Sequence, residues 1–169
     1  MVELEAMSIV FTGLSISLAA FYYTMTLRNA QRTQQQQLET RQAQLFMQVY
    51  SKWQDKDFNE SKQLVLYEYK CDGFDDYDAI MRDKEKAANL RVIGTFLEGL
   101  GVLVKRRLVD VGFVDDMMSG DVLRFWDKYG GAVREFRVRR DYPQALEYTE
   151  LLYTEIKAVA ERQLVAKRA

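Results

Sequence analysis

The side chains that most often carry enzyme chemistry are sparse in this chain, which contains no histidine and a single cysteine. Without histidine it lacks the commonest general base, the commonest metal ligand and any histidine-dependent triad. Cys71 lies between Lys70 and Asp72, where no histidine can activate it, so we expect a packed thiol and not a nucleophile. The sequence therefore predicts a protein that is not an enzyme, with no catalytic residue and no cofactor.

The best candidate for a metal site is a group of four aspartates, Asp72, Asp75, Asp76 and Asp78. Carboxylate oxygens on a loop suit calcium, but this spacing is not that of an EF-hand, and Gly73 falls at the wrong position. Aspartate also favours turns and helix starts. We therefore expect a turn at Gly73 with Asp75 or Asp76 as the next N-cap, and no metal. The chain also lacks the glycine motifs that cradle phosphates, and no small-molecule substrate is inferred.

Glu98 is a carboxylate in apolar surroundings, within the sequence Phe96-Leu97-Glu98-Gly99-Leu100-Gly101. A half-buried carboxylate needs a compensating partner. Because Arg91 and Lys105 lie two helical turns away on either side, we expect Glu98 to form a buried ion pair with another helix. We do not expect it to act as a general acid.

Basic residues concentrate in Lys105-Arg106-Arg107 and in residues 134–140. Such clusters can contact anionic lipid or steer a partner, and they equally suit the C-terminal ends of helices. The formal net charge of the chain is −1, which argues against nucleic-acid binding.

The elements that position these residues begin with residues 6–27, a run of 22 uncharged residues. As a helix this run is long enough to cross a hydrocarbon core of about 30 Å, which predicts a single-pass transmembrane anchor at residues 1–27. A cleaved signal peptide is the first alternative, but the preceding residues are acidic and the run is too long. A buried core helix is the second alternative, because serine and threonine dilute the hydrophobicity of the run.

The orientation of this anchor follows from the basic residues around it. Arg28, Arg32 and Arg41 follow the run, and no lysine or arginine precedes it. We therefore predict a protein of the cell (inner) membrane whose N-terminus lies outside and whose C-terminal domain lies in the cytoplasm. Tyr22 and Tyr23, with Arg28, suit the inner headgroup belt. A lone cysteine permits no intrachain disulfide, in agreement with a reducing compartment.

Small side chains recur along one face of the predicted anchor, and small residues let helices approach closely in lipid. The stripe consists of Ser8, Thr12, Ser15 and Ala19, and Gly13 and Ser17 form a second pair. The sequence leaves open whether these residues form a helix–helix interface or are the scattered serines and threonines that many anchors carry.

Residues 28–57 form a glutamine-rich juxtamembrane segment without glycine or proline. We predict a helix that continues from the anchor, because apolar residues take up helical spacing from Phe46 to Trp53. A disordered polar tether is the alternative. Leu38 and Leu45 lie one heptad apart, which is too little to specify a coiled coil.

Residues 58–165 predict a cytoplasmic bundle of four to five helices, followed by a tail at 166–169, so the fold class is all-α. The predicted helices cover residues 58–70 after a capping box at Asp57, then 78–105, 110–118, 121–140 and a last helix with Pro143 at its first position. The predicted core residues are Trp53, Phe96, Leu97, Leu100, Trp126, Leu151 and Leu152.

Two segments of the chain, FLEGLGVLVKRRLVDVGFV and VLRFWDKYGGAVREFRVRRDYPQALEYTELLY, resemble a prokaryotic family known as domain of unknown function 4760. The residues that carry the resemblance are Phe96, Glu98, Gly99, Gly101, Lys105, Arg106, Asp110, Trp126 and Tyr148. The resemblance covers roughly residues 45–155. It implies a helical fold and the topology of a small single-pass membrane protein, and it implies no activity.

Two classes of function remain. The first is a non-enzymatic, membrane-anchored accessory or scaffold subunit of a membrane protein complex. The second is a self-assembling homo-oligomeric membrane protein, such as a pore or a sensor, built through the small-residue stripe. The expected partners are membrane lipid and either integral membrane proteins or further copies of the chain.

The basic residues make the topology directly testable. Because Arg28, Arg32 and Arg41 follow the anchor, a reporter fused after Ala169 should be active only if it works in the cytoplasm. Activity of a reporter that works only in the periplasm, fused at the same place, would reverse the orientation.

Overall fold

The computed structural model describes the backbone of residues 2–168 and the side chains of residues 11–163. Across that backbone the chain is helical and has no β-strand, which confirms the all-α class. The helices are α1 (Val2–Trp53), α2 (Lys56–Gln63), a π-helical turn (Leu64–Glu68), α3 (Phe74–Arg82), α4 (Lys84–Lys105), α5 (Val111–Arg139) and α6 (Glu147–Arg168). Ser8 of the predicted stripe lies outside the described side chains, and α6 takes in most of the predicted tail at 166–169.

The chain divides into two compact units, Met1–Arg41 and Gln42–Ala169. The first unit consists of the helical residues of α1 up to Arg41. The second holds the hydrophobic core and takes in the end of α1, whose Phe46 and Trp53 are buried. The glutamine-rich residues of α1 are helical, in agreement with the predicted helix and not with a tether.

The second unit is built around α4, α5 and α6, which pack against one another, while α2 packs on α4 and α3 packs on both α4 and α5. Aromatic rings join the end of α1 to this core: Phe46 stacks on Phe113 at 5.5 Å between ring centroids, and Trp53 lies 5.0 Å from Phe96. Five of the predicted core residues are buried, namely Trp53, Leu97, Leu100, Trp126 and Leu152. Phe96 and Leu151 are only half-buried at the edge of the core.

Aspartates cap several of these helices, but not at the predicted positions. Asp55 caps α2, since its carboxylate accepts from the backbone N–H groups of Asp57 and Phe58, so the capping box predicted at Asp57 is wrong. Asp83 caps α4 in the same way and ends α3. The single helix predicted over 78–105 is therefore two helices, and the first of them begins at Phe74 after Gly73, not after Asp75 or Asp76.

The remaining boundaries also differ from the prediction. The two helices predicted over 110–118 and 121–140 are one helix, α5, which runs through Gly120 and through Gly130-Gly131. The packing of α5 against α3 and α6 outweighs the low helix propensity of these glycines. The last helix begins at Glu147, because Pro143 lies in a preceding turn and not at the first helical position.

Helices α4 and α5 end in left-handed turns without glycine. Arg107 has φ 56° after α4, and Asp141 has φ 49° after α5. In each turn the next residue closes the helix end: the backbone N–H of Leu108 donates to the carbonyl of Leu103, and that of Tyr142 donates to the carbonyl of Arg137. These hydrogen bonds fix the connections to α5 and α6.

Candidate functional site

Glu98 is the centre of a junction between α4 and α6. Its carboxylate accepts hydrogen bonds from the backbone N–H groups of Tyr148 (3.1 Å) and Thr149 (2.8 Å) and from the hydroxyl of Thr149 (2.9 Å). These N–H groups belong to the first turn of α6 and have no partner within their own helix. A carboxylate there also interacts favourably with the positive end of the helix dipole. Glu98 therefore acts as an N-cap supplied by another helix.

This arrangement corrects the ion pair predicted for Glu98. Among the described side chains no cation lies within salt-bridge distance of it, and backbone donors of α6 take the place of the expected arginine or lysine. Lys105 instead places its ammonium 4.7 Å from the ring centroid of Tyr148. The family-like residues Glu98, Lys105 and Tyr148 are thus brought together at the start of α6.

Gly101 sets how closely α4 and α6 approach. A Cβ at this position would lie 2.1 Å from the carbonyl oxygen of Tyr148 and 2.6 Å from its carbonyl carbon, so only glycine fits against this backbone. The side chain of Leu146 packs against Gly94, which lies one helical turn before Glu98. The backbone of Leu146 is left-handed, with φ 53°. A Cβ at Gly99 would meet nothing within 4 Å. The close contacts of this glycine-containing run therefore fall on Gly94 and Gly101.

The basic turn after α4 is anchored to the end of α1 within the second unit. The side-chain amide of Gln42 donates a hydrogen bond of 2.7 Å to the carbonyl oxygen of Arg107. Beside it lies a cavity of about 450 Å³ whose charged lining residues include Lys105, Arg107, Asp110 and Glu155. Lys105, Arg106 and Arg107 are exposed, so their charges face outward and not into the core.

Cys71 and Lys128 lie beside the π-helical turn. The ammonium of Lys128 donates to the carbonyls of Val65 (3.0 Å) and Leu66 (3.3 Å), and the hydroxyl of Tyr129 donates to the carbonyl of Val65 (2.8 Å). Burial lowers the pKa of Lys128. Burial, reinforced by the charge of Asp76, raises the pKa of the Cys71 thiol, which disfavours the reactive thiolate.

Three of the four aspartates proposed for a metal, at the start of α3 and just before it, are engaged with the backbone or with cations. Asp76 accepts a hydrogen bond of 2.8 Å from the backbone N–H of Asp72, and Asp72 itself pairs with Lys70 at 3.1 Å. Asp78 pairs with Arg82 and with Arg140. Over the part of the chain that the structure describes, no three cysteine or acidic side chains are grouped to hold a metal ion.

The N-terminal part of α1 presents an apolar surface. In residues 11–27 every large hydrophobic side chain is exposed, from 47% at Leu27 to 74% at Tyr22. The hydroxyls among them are bonded within the helix: Ser15, Ser17, Thr24 and Thr26 each donate to the carbonyl four residues earlier, at 2.7–2.9 Å. These bonds reduce the cost of placing such hydroxyls in an apolar environment.

A second helix also has a long apolar stretch. Of the helices in the described part, α4 is long and apolar enough to cross a membrane by length and composition alone. However, 44% of that stretch is buried within the second unit, and α4 carries the core residues Ile93, Leu97 and Leu100. These are the properties of a core helix. The predicted span at 6–27 begins before the described side chains and stays a prediction.

Comparison with known proteins identifies a family. A family model with the description domain of unknown function (DUF4760) matches residues 7–156, which include all of α2 to α5 and the junction at Glu98. No curated protein and no solved structure matches the chain.

The junction between α4 and α6 predicts opposite effects for two neighbouring glycines. Gly101→Ala should lower the free energy of unfolding by at least about 1–3 kcal/mol, because its Cβ collides with the backbone of Tyr148. Gly99→Ala is the matched control: its Cβ meets nothing, so alanine should be neutral or stabilise α4 by up to about 1 kcal/mol. Urea melts of the full chain in detergent measure both. Equal stability of the two variants would contradict the close approach.

Proposed function

The chain belongs to the DUF4760 family, and we propose that it is a single-pass membrane protein that serves as a non-enzymatic accessory or scaffold subunit of a membrane protein complex. Residues 6–27 form the anchor in this proposal. The observation that carries it is the surface of residues 11–27, which exposes its large apolar side chains while its serine and threonine hydroxyls bond back to their own helix. Lipid is the solvent that suits such a surface.

The proposed orientation places the second unit in the cytoplasm. Arg28, Arg32 and Arg41 follow the apolar residues, and such a basic excess favours the cytoplasmic side. Tyr22 and Tyr23 are exposed at the end of the apolar surface, where aromatic side chains suit the headgroup region.

Contact with a partner, and not catalysis, is the role that the second unit supports. Its histidine-free sequence offers no general base of the usual kind, and its cysteine is buried with a raised thiol pKa. Its surface carries isolated exposed apolar residues, of which Val138 is 83% exposed. The exposed basic turn Lys105-Arg106-Arg107 adds charge that can orient an acidic partner or anionic lipid.

Self-assembly is the alternative, and the groove on α1 favours it. The small side chains of Ser15 and Ala19 leave a groove that is flanked by Leu18, Tyr22 and Met25. Helices associate in lipid through close packing and interhelical hydrogen bonds, and small residues permit both. A second copy of α1 packed along this groove would make the chain a homo-oligomer.

Native mass spectrometry of the detergent-extracted full chain distinguishes these possibilities. An accessory subunit should be extracted with companion chains and be monomeric when purified alone, whereas the alternative predicts several copies without companions.

Thr12→Leu combined with Ser15→Leu should abolish the association that α1 mediates, because bulky side chains block close approach in lipid. Insertion should survive, since the span becomes more hydrophobic.

The matched control is Ser17→Leu combined with Thr24→Leu, which replaces the same residue types on the opposite side of the helix. It should leave the complex intact. If the first pair has no effect, or if both pairs disrupt the complex equally, the stripe is not the contact surface. Recovery of the unmodified chain in the soluble fraction, without detergent, would contradict the membrane anchor itself.

A further inference from the structure

A small apolar cavity lies within the second unit, where α3, α4 and α5 meet the turn that precedes α6. Its volume is about 120 Å³. Apolar side chains form most of its wall, and each of these elements contributes at least one: Met81, Leu90, Phe125 and Leu146. Cavities with such a lining stay dry and bind compact apolar molecules, and one of about 150 Å³ holds benzene. The cavity therefore suits the apolar body of a molecule of about that size.

Gly94 adds to this space on the α4 side. A Cβ at Gly94 would lie 3.4 Å from Cδ2 of Leu146 and 3.9 Å from Cζ of Phe125, which is ordinary van der Waals contact. No collision requires this glycine, in contrast to Gly101, and its missing side chain leaves part of the cavity empty. On the same side Arg91 and Thr95 line the cavity and are exposed, so the cavity opens to the surface beside α4.

Two polar side chains of the cavity wall have no partner in the part of the chain that the structure describes. The guanidinium of Arg91 makes neither an ion pair nor a hydrogen bond there, and the hydroxyl of Tyr77 makes no hydrogen bond. The two groups interact electrostatically: burial raises the pKa of the Tyr77 phenol, and the charge of Arg91 opposes that rise. At neutral pH this wall thus presents one cation and one neutral hydroxyl donor.

Acidic side chains on the neighbouring elements do not neutralise Arg91. On α3, Asp78 pairs with Arg82 and with Arg140, and Asp83 caps α4. Within α4 the positions three and four residues from Arg91, where a helix brings side chains together, hold only alanine, glycine and threonine. The guanidinium is therefore a free cation at the edge of an apolar cavity.

We propose that this cavity binds a compact monocarboxylate, whose aromatic or branched aliphatic body lies among α3, α4 and α5 and whose carboxylate contacts the Arg91 guanidinium and the Tyr77 hydroxyl. A planar guanidinium matches a carboxylate with two parallel donors. One cation balances a monoanion, whereas a phosphate dianion would keep uncompensated charge beside apolar walls. All of these residues lie in the second unit, so binding does not depend on the membrane anchor.

Benzoate is the probe for this site, because its ring matches the volume of the cavity and its carboxylate matches the free cation. Isothermal titration of the full chain in detergent micelles at pH 7, with protein-free micelles as the blank, should show saturable binding of one benzoate per chain. Benzamide has the same ring without the charge, and acetate has the charge without the ring. Each should bind at least about tenfold more weakly. No saturable binding of benzoate, or equal binding of either control compound, would overturn the proposal.

Variants locate the binding on the cavity. Arg91→Gln should weaken benzoate binding by about tenfold or more, because it removes the cation from an exposed position. Arg124→Gln is the matched control: this arginine is also exposed, stacks on Tyr67 at 4.4 Å and should leave the affinity unchanged. Gly94→Ala fills part of the cavity and should also weaken binding. Equal affinities in the two arginine variants would contradict the assignment. If a variant does not fold, the ligand series on the unmodified chain still decides.

Discussion

The fold of the second unit depends on one carboxylate, that of Glu98. The backbone N–H groups of Tyr148 and Thr149 in the first turn of α6 have no partner within their own helix, and the carboxylate on α4 accepts from both. The cap works only at short range, and Gly101 permits that range because it has no side chain to collide with Tyr148. Glu98 and Gly101 therefore act together: the glycine allows the short distance between α4 and α6, and the carboxylate holds the two helices at that distance.

Further hydrogen bonds hold the turns that precede and follow α5. Arg137 donates from Nε to the carbonyl of Ala145 at 2.9 Å, which holds the turn that brings α6 to α4. On the other side, Gln42 holds the carbonyl of Arg107 and so ties the end of α1 to the turn after α4. The second unit therefore holds the end of α1 and the turns on both sides of α5 by side-chain bonds to backbone carbonyls.

The sequence predicts the all-helical class and most of the buried residues, but not the helix boundaries or the partners of polar side chains. Helical spacing of apolar residues was enough to predict that Trp53, Leu97 and Trp126 are buried, because periodicity reports burial directly. The sequence marks Glu98 as an acid in apolar surroundings but predicts a cation as its partner, since the backbone donors of a helix 50 residues later cannot be inferred from composition. The left-handed turns at Arg107 and Asp141 are equally hard to predict, because they lack the glycine that usually marks such a turn; backbone hydrogen bonds from Leu108 and Tyr142 close them.

The central claim, that the apolar surface of α1 lies in lipid, is tested most directly by spin labels in nanodiscs. Labels replace Leu14, Phe21 and Leu38 one at a time, after Cys71→Ser removes the native thiol. Oxygen partitions into the bilayer and a nickel chelate stays in water. The account predicts high oxygen and low nickel accessibility at Leu14 and Phe21, and the reverse at Leu38. Nickel accessibility at Leu14 and Phe21 as high as at Leu38 would contradict it.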